Sequence, residues 1–83
     1  MRYAIYNKDG FLGTFGWDGN KEVVDSEDEV LLKLLKAPYT TLGSLVTEDE
    51  RATIDVTYQP NTKEHFDVLV IEMDKFGFEA IEL

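Results

Sequence analysis

Apolar and polar positions alternate over residues 2–7, RYAIYN, with Tyr3 and Ile5 on one face and Ala4 and Tyr6 on the other. Residues 11–17, FLGTFGW, bring Phe11, Phe15 and Trp17 to a common side. A period of two marks a strand. Two strands are therefore expected, joined at Lys8-Asp9-Gly10, residues that tolerate the positive φ of a tight hairpin turn. A second Asp-Gly follows at 18–19, and Lys21 to Val24 read as a lead-in to a change of period. Ser26 stands as an N-cap with Glu29 three positions on, the spacing of a capping box. Val30, Leu31, Leu34 and Leu35 then recur as one stripe, which predicts a helix from about Glu27 to Lys36. Acids crowd its positive end, Lys33 and Lys36 occupy its negative end, and Pro38 blocks continuation because it lacks an N–H.

Alternation returns in YTTLGSLV (39–46) and RATIDVTY (51–58), the latter setting Ala52, Ile54, Val56 and Tyr58 against Arg51, Thr53, Asp55 and Thr57. This is a second hairpin with one buried face, and its tip carries Glu48, Asp49 and Glu50. QPNT at 59–62 ends it. In KEHFDVLVIEMDKF (63–76), Phe66, Leu69, Val70 and Met73 have helical spacing, with Thr62 as cap and Gly77 beyond the C-terminal end. The β-branched Val68, Val70 and Ile71 suit a strand as well. FEAIEL (78–83) reads as a short closing strand. The order ββαββαβ describes an α+β domain with a mostly antiparallel sheet of about five strands and two helices on one face. At 83 residues the chain has material for one core, so residues 1–83 form a single domain.

Charge narrows the function. Seventeen Asp and Glu against eight Lys and Arg give a net charge of −9, which argues against a nucleic-acid partner, since affinity for phosphates needs clustered cations. A field of this sign attracts cations or basic proteins. The absence of cysteine removes disulfides, thiolate zinc sites and a cysteine nucleophile. No apolar run reaches the length of a membrane span, and MRYAIYNKDG lacks the order of a signal peptide. The expectation is a soluble, cytoplasmic protein that does not engage a membrane.

Catalysis has little support. His65 is the only histidine, no serine sits in a nucleophile elbow, and no triad can be assembled. An enzyme is not expected. His65, with Glu64 and Asp67 nearby, reads as solvent-facing or locally paired. Trp17 reads as cover for the end of a strand rather than as an anchor for a partner. Glycines at 10, 13, 16 and 19 recur every third residue, and Gly13 and Gly16 suggest a bulge or a close approach of helix to strand.

The candidate chemistry lies in two acidic clusters. DSEDE (25–29) supplies Asp25, Glu27, Asp28 and Glu29, and the hairpin tip supplies Glu48, Asp49 and Glu50. One or two acids suffice to start a helix, so Asp25, outside the cap, is in excess. Calcium takes six to eight oxygens at roughly 2.3–2.6 Å, a number the two clusters could reach together if folding made them converge. An EF-hand alignment starting at Asp18 puts Asn20, Glu22, Val24, Ser26 and Glu29 at ligand positions. It fails where Val23 replaces the glycine of the sharp turn and where a strand replaces the entering helix; an irregular loop site between Asp18 and Glu29 stays open. The alternative is an acidic face that meets a basic protein without metal.

The cysteine-free chain of 83 residues, the opening RYAIYNKDG, two helices among five strands and the clusters DSEDE and EDE together resemble a small acidic calcium-binding protein of methanogenic archaea with an α+β fold. The resemblance implies calcium (Ca2+) held at an acidic patch. It covers the whole length and rests on general character, and it brings no ligand list of its own.

Overall fold

The computed structural model describes residues 1–42 and 55–83. Strands β1 (Arg2–Asn7) and β2 (Gly10–Asp18) pair antiparallel across a turn in which the Asp9 N–H donates to Asn7 Oδ1 at 2.8 Å. Their register shifts between Ile5 and Tyr6. Ile5 faces Gly13 whereas Tyr6 faces Phe11, so Leu12 is the extra residue of a β-bulge. The bulge corrects the expected grouping of Phe11 with Phe15 and Trp17. It turns Phe11 to the side of Tyr6, where the rings meet edge to face at 5.6 Å and Phe11 stays exposed.

Residues 21–26 are not a lead-in but a strand, β3 (Lys21–Ser26), paired antiparallel with β2 around the Asp18-Gly19 turn. The chain therefore has six strands among the described residues instead of about five. They form two sheets rather than one: β3-β2-β1-β6, and a two-stranded β4-β5. Gly13 is needed for the close approach of β3. A Cβ there would lie 2.1 Å from the Asp25 carbonyl oxygen, and φ is +150°. The close approach is thus strand to strand.

Helix α1 (Glu29–Lys36) starts two residues later than the capping-box spacing predicts. Asp28 is its N-cap, accepting from Leu31 N–H at 2.9 Å. Ser26 is otherwise engaged, donating from Oγ to the Leu12 carbonyl at 2.7 Å and accepting from Asp28 N–H at 3.1 Å. Leu31 and Leu35 are buried and Leu34 packs beside them, but Val30 falls off the stripe and is 68% exposed.

After β4 (Tyr39–Leu42) and β5 (Asp55–Tyr58), whose hydroxyls Thr40 and Thr57 meet at 2.8 Å, the chain enters α2 (Lys63–Glu72). Helical spacing prevails there over β-branching, because Phe66, Leu69 and Met73 all reach the core and Thr62 Oγ1 caps the His65 N–H. A 3-10 turn, Met73–Phe76, ends at Gly77 with φ +84°, and β6 (Glu79–Glu82) returns beside β1. The expected strand portions 43–46 and 51–54 and the tip between them lie outside the described residues.

The core forms where both helices cover one face of the larger sheet: Leu31, Leu35, Phe66, Leu69 and Met73 pack on Ile5, Phe15 and Phe78. Phe66 is its centre, with ring centroids 4.8 Å from Phe15, 5.9 Å from Tyr3 and 6.3 Å from Trp17. Trp17 thus covers the core, its indole N–H donating to the Gly19 carbonyl at 3.1 Å. Among the described residues, no helix is long and apolar enough to cross a membrane.

Candidate functional site

The junction from β3 into α1 holds four of the acids singled out by sequence, and the backbone disperses them. Val24 packs against the core and Ser26 reaches the Leu12 carbonyl, so Asp25, between them on a strand, projects to the opposite, helix-free face and is exposed. Glu27 follows in the bend, also exposed. Asp28 is half-buried and its carboxylate is committed to the cap. Glu29 opens the helix, exposed, beside the positive end of the macrodipole. Asp25, Glu27 and Glu29 enter no ion pair among the described residues.

No set of three or more Asp, Glu or His side chains placed to hold a metal ion occurs among the described residues. Glu48, Asp49 and Glu50 lie outside them, so whether the hairpin tip meets residues 25–29 is not part of the described fold. The stretch from Asp18 to Ser26 is a β-turn and a strand, so within the loop considered between Asp18 and Glu29 only residues 27–28 lie outside regular structure.

Sequence reasoning missed the most buried polar side chain among the described residues. His65 is fully buried, not solvent-facing and not paired with Glu64 or Asp67. Its Nε2 lies 2.9 Å from the Ala37 carbonyl and its Nδ1 2.6 Å from Glu22 Oε2. A carbonyl only accepts, so Nε2 carries a hydrogen, and a further hydrogen lies between Nδ1 and the carboxylate. Glu22 Oε1 accepts from the Asn61 N–H, and Asn61 Oδ1 accepts from the Glu22 N–H at 2.8 Å. The network ties α2, β3 and the α1–β4 link together with every polar atom partnered, which is the condition for burying such groups. With both ring nitrogens occupied, His65 is a structural clasp. The one signal in the sequence was Glu22, an inward-facing carboxylate at the second position of β3.

A second polar contact fastens the small sheet to the second helix. The Tyr39 hydroxyl donates to Glu72 Oε2, and the Tyr39 ring meets Phe76 edge to face at 5.9 Å. Burial, then the hydrogen bond and the negative charge of Glu72, push the Tyr39 phenol up to about 12. The hydrogen bond from Tyr39, helped by Lys75, holds Glu72 below its usual value of 4.5 against the opposing effect of burial. The two shifts fix a pH window. Stability from Tyr39 is complete below pH 10 and is lost as pH rises toward about 12. Stability from Glu72 is present above its ordinary value and is lost as pH falls through the lowered one. An absorbance titration should show a phenol step near pH 12 that Tyr39→Phe removes. A high-pH limb that Tyr39→Phe leaves unchanged would contradict the contact.

Chemically, the described surface offers carboxylates at a strand-to-helix junction, on a chain with no cysteine and no second histidine. Comparison with known protein families, curated proteins and solved structures finds no significant match.

Proposed function

We propose that this protein is a non-catalytic, cytoplasmic acidic module that engages a basic protein through the β3–α1 junction, without a metal. The supporting observation is that Asp25, Glu27 and Glu29 are exposed and form no ion pair among the described residues, on a chain of net charge −9. Unpaired negative charge of this kind speeds encounter with a cationic partner and steers its approach, and salt weakens both effects.

Calcium at the same junction is the second reading, favoured by four carboxylates within five residues. With Asp28 engaged as a cap, it needs further oxygens, from Glu48, Asp49 and Glu50 or from carbonyls and water, to reach the coordination that calcium takes.

Thermal unfolding separates the two, because a ligand that binds only the folded state raises the melting temperature. Under the first reading, pentalysine raises Tm at low ionic strength and the rise disappears by about 0.5 M NaCl, while CaCl2 and MgCl2 at matched ionic strength act alike. A rise with CaCl2 well beyond that with MgCl2, together with no response to pentalysine, would reverse the order of the readings.

A further inference from the structure

We infer that the end of α1 away from Asp25–Glu29 carries a site for a small aliphatic carboxylate, an inference independent of the acidic-module reading. A pocket of about 260 Å³ lies against the outer edge of β3, lined by Glu22 and Val24 of that strand, Leu35 and Lys36 at the end of α1, and Pro60 and Asn61 ahead of α2. The strand edge there is open. The Glu22 N–H, which reaches Asn61 Oδ1 at 2.8 Å, points away from β2. Backbone groups of an antiparallel ladder alternate in direction, so the Val24 N–H and carbonyl also point outward, and nothing among the described residues pairs with them. The mouth is fixed as well. Asn61 takes a positive φ of 66° and is held by two hydrogen bonds with Glu22, one in each direction, so the pocket is formed before a ligand arrives.

Charge selects the ligand. Glu22 and Lys36 are the charged side chains that line the pocket, and they do not cancel. Both Glu22 carboxylate oxygens are already used, by the Asn61 N–H and by His65, and the hydrogens on the His65 ring make that buried pair neutral as a unit. Lys36 is exposed and enters no ion pair among the described residues. One positive charge therefore remains, with two neutral donors beside it: the Val24 N–H and the side-chain NH2 of exposed Asn61, whose oxygen faces the Glu22 N–H. This set matches a single carboxylate. A phosphate dianion would leave its second charge unpaired on a chain of net charge −9. Leu35 and Pro60 add apolar surface for a hydrocarbon body. The volume falls below the roughly 300–1,000 Å³ of drug-sized sites, so that body is short.

The test titrates 4-methylpentanoate, its uncharged amide 4-methylpentanamide, and acetate into the ¹⁵N-labelled full chain at constant ionic strength, with binding read from amide shifts. The acid should give saturating shifts at residues 22–24, 35–37 and 61–62. It should bind at least about tenfold more tightly than its amide, the effect of one charged hydrogen bond, and than acetate, which lacks the aliphatic body. Lys36→Gln should lower the affinity of the acid to that of the amide. Lys33→Gln, one turn back on α1 and outside the pocket, should leave it unchanged; both lysines are exposed, so neither substitution disturbs the core. Equal affinity for the acid and its amide, an equal loss in the two lysine variants, or no saturating shift at these residues would overturn the site. Acetate binding as tightly as the longer acid would overturn the aliphatic ligand. None of these outcomes bears on pentalysine at the β3–α1 junction, so the acidic module stands or falls separately.

Discussion

Gly13→Ala is expected to lower the unfolding free energy by about 3–5 kcal/mol, combining a strained backbone with overpacking. The position is constrained twice. Its φ of +150° is one that side chains rarely adopt, and a Cβ would meet the Asp25 carbonyl oxygen at 2.1 Å and Ser26 Cβ at 2.7 Å. Those two atoms and Ser26 Cα, 2.9 Å away, all belong to β3 and are backbone or fixed by it, so relief requires moving a strand that also carries Glu22. Gly16 is the control. It has ordinary φ, and a Cβ there would approach the Met1 carbonyl only to 3.0 Å, so Gly16→Ala should cost about 1 kcal/mol, the lower end for overpacking. Urea unfolding measures both. A Gly13→Ala protein no less stable than Gly16→Ala would show that the bulge does not hold β3 as described.

His65→Leu is expected to cost about 3–5 kcal/mol, the range for removing one partner of a buried pair, and to lower Tm by at least about 12 °C for a domain of this size. The loss comes less from the contact itself than from what is stranded. Glu22, whose side chain is 7% exposed, would keep only the Asn61 N–H, and the Ala37 carbonyl would lose its donor. Glu22→Gln keeps a polar atom in each place and should cost about 1 kcal/mol, the size of one ordinary hydrogen bond. The double substitution should cost less than the sum of the two, because the second change neutralises the buried charge that the first strands. Strict additivity would mean that the two residues do not act as a unit.

Much of the fold is written locally. The β1–β2 hairpin follows from alternation and the Asp9-Gly10 turn, and α2 follows from the spacing of Phe66, Leu69 and Met73 between Thr62 and Gly77. What the sequence hides depends on partners far along the chain. β3 looks unlike a strand because its inward positions are Glu22, Val24 and Ser26, two of them polar. Glu22 is acceptable only beside His65, 43 residues away, and Ser26 only beside the Leu12 carbonyl, which the bulge exposes. The same use of Ser26 moves the cap to Asp28, and Val30, at the edge of the Leu31–Leu35 stripe, stays in solvent. The four acids of DSEDE are adjacent in sequence, yet a strand followed by a bend and a helix sends Asp25 to the helix-free face and leaves Asp28 bonded to backbone. Adjacency in sequence thus overstated their convergence in space.

Whether exposed carboxylates at the β3–α1 junction receive a cationic partner is decided by amide NMR of the ¹⁵N-labelled protein titrated with pentalysine. Saturating shifts should concentrate at residues 25–30 and fade as NaCl approaches about 0.5 M. Shifts spread evenly over the surface, or none at these residues, would show that they do not.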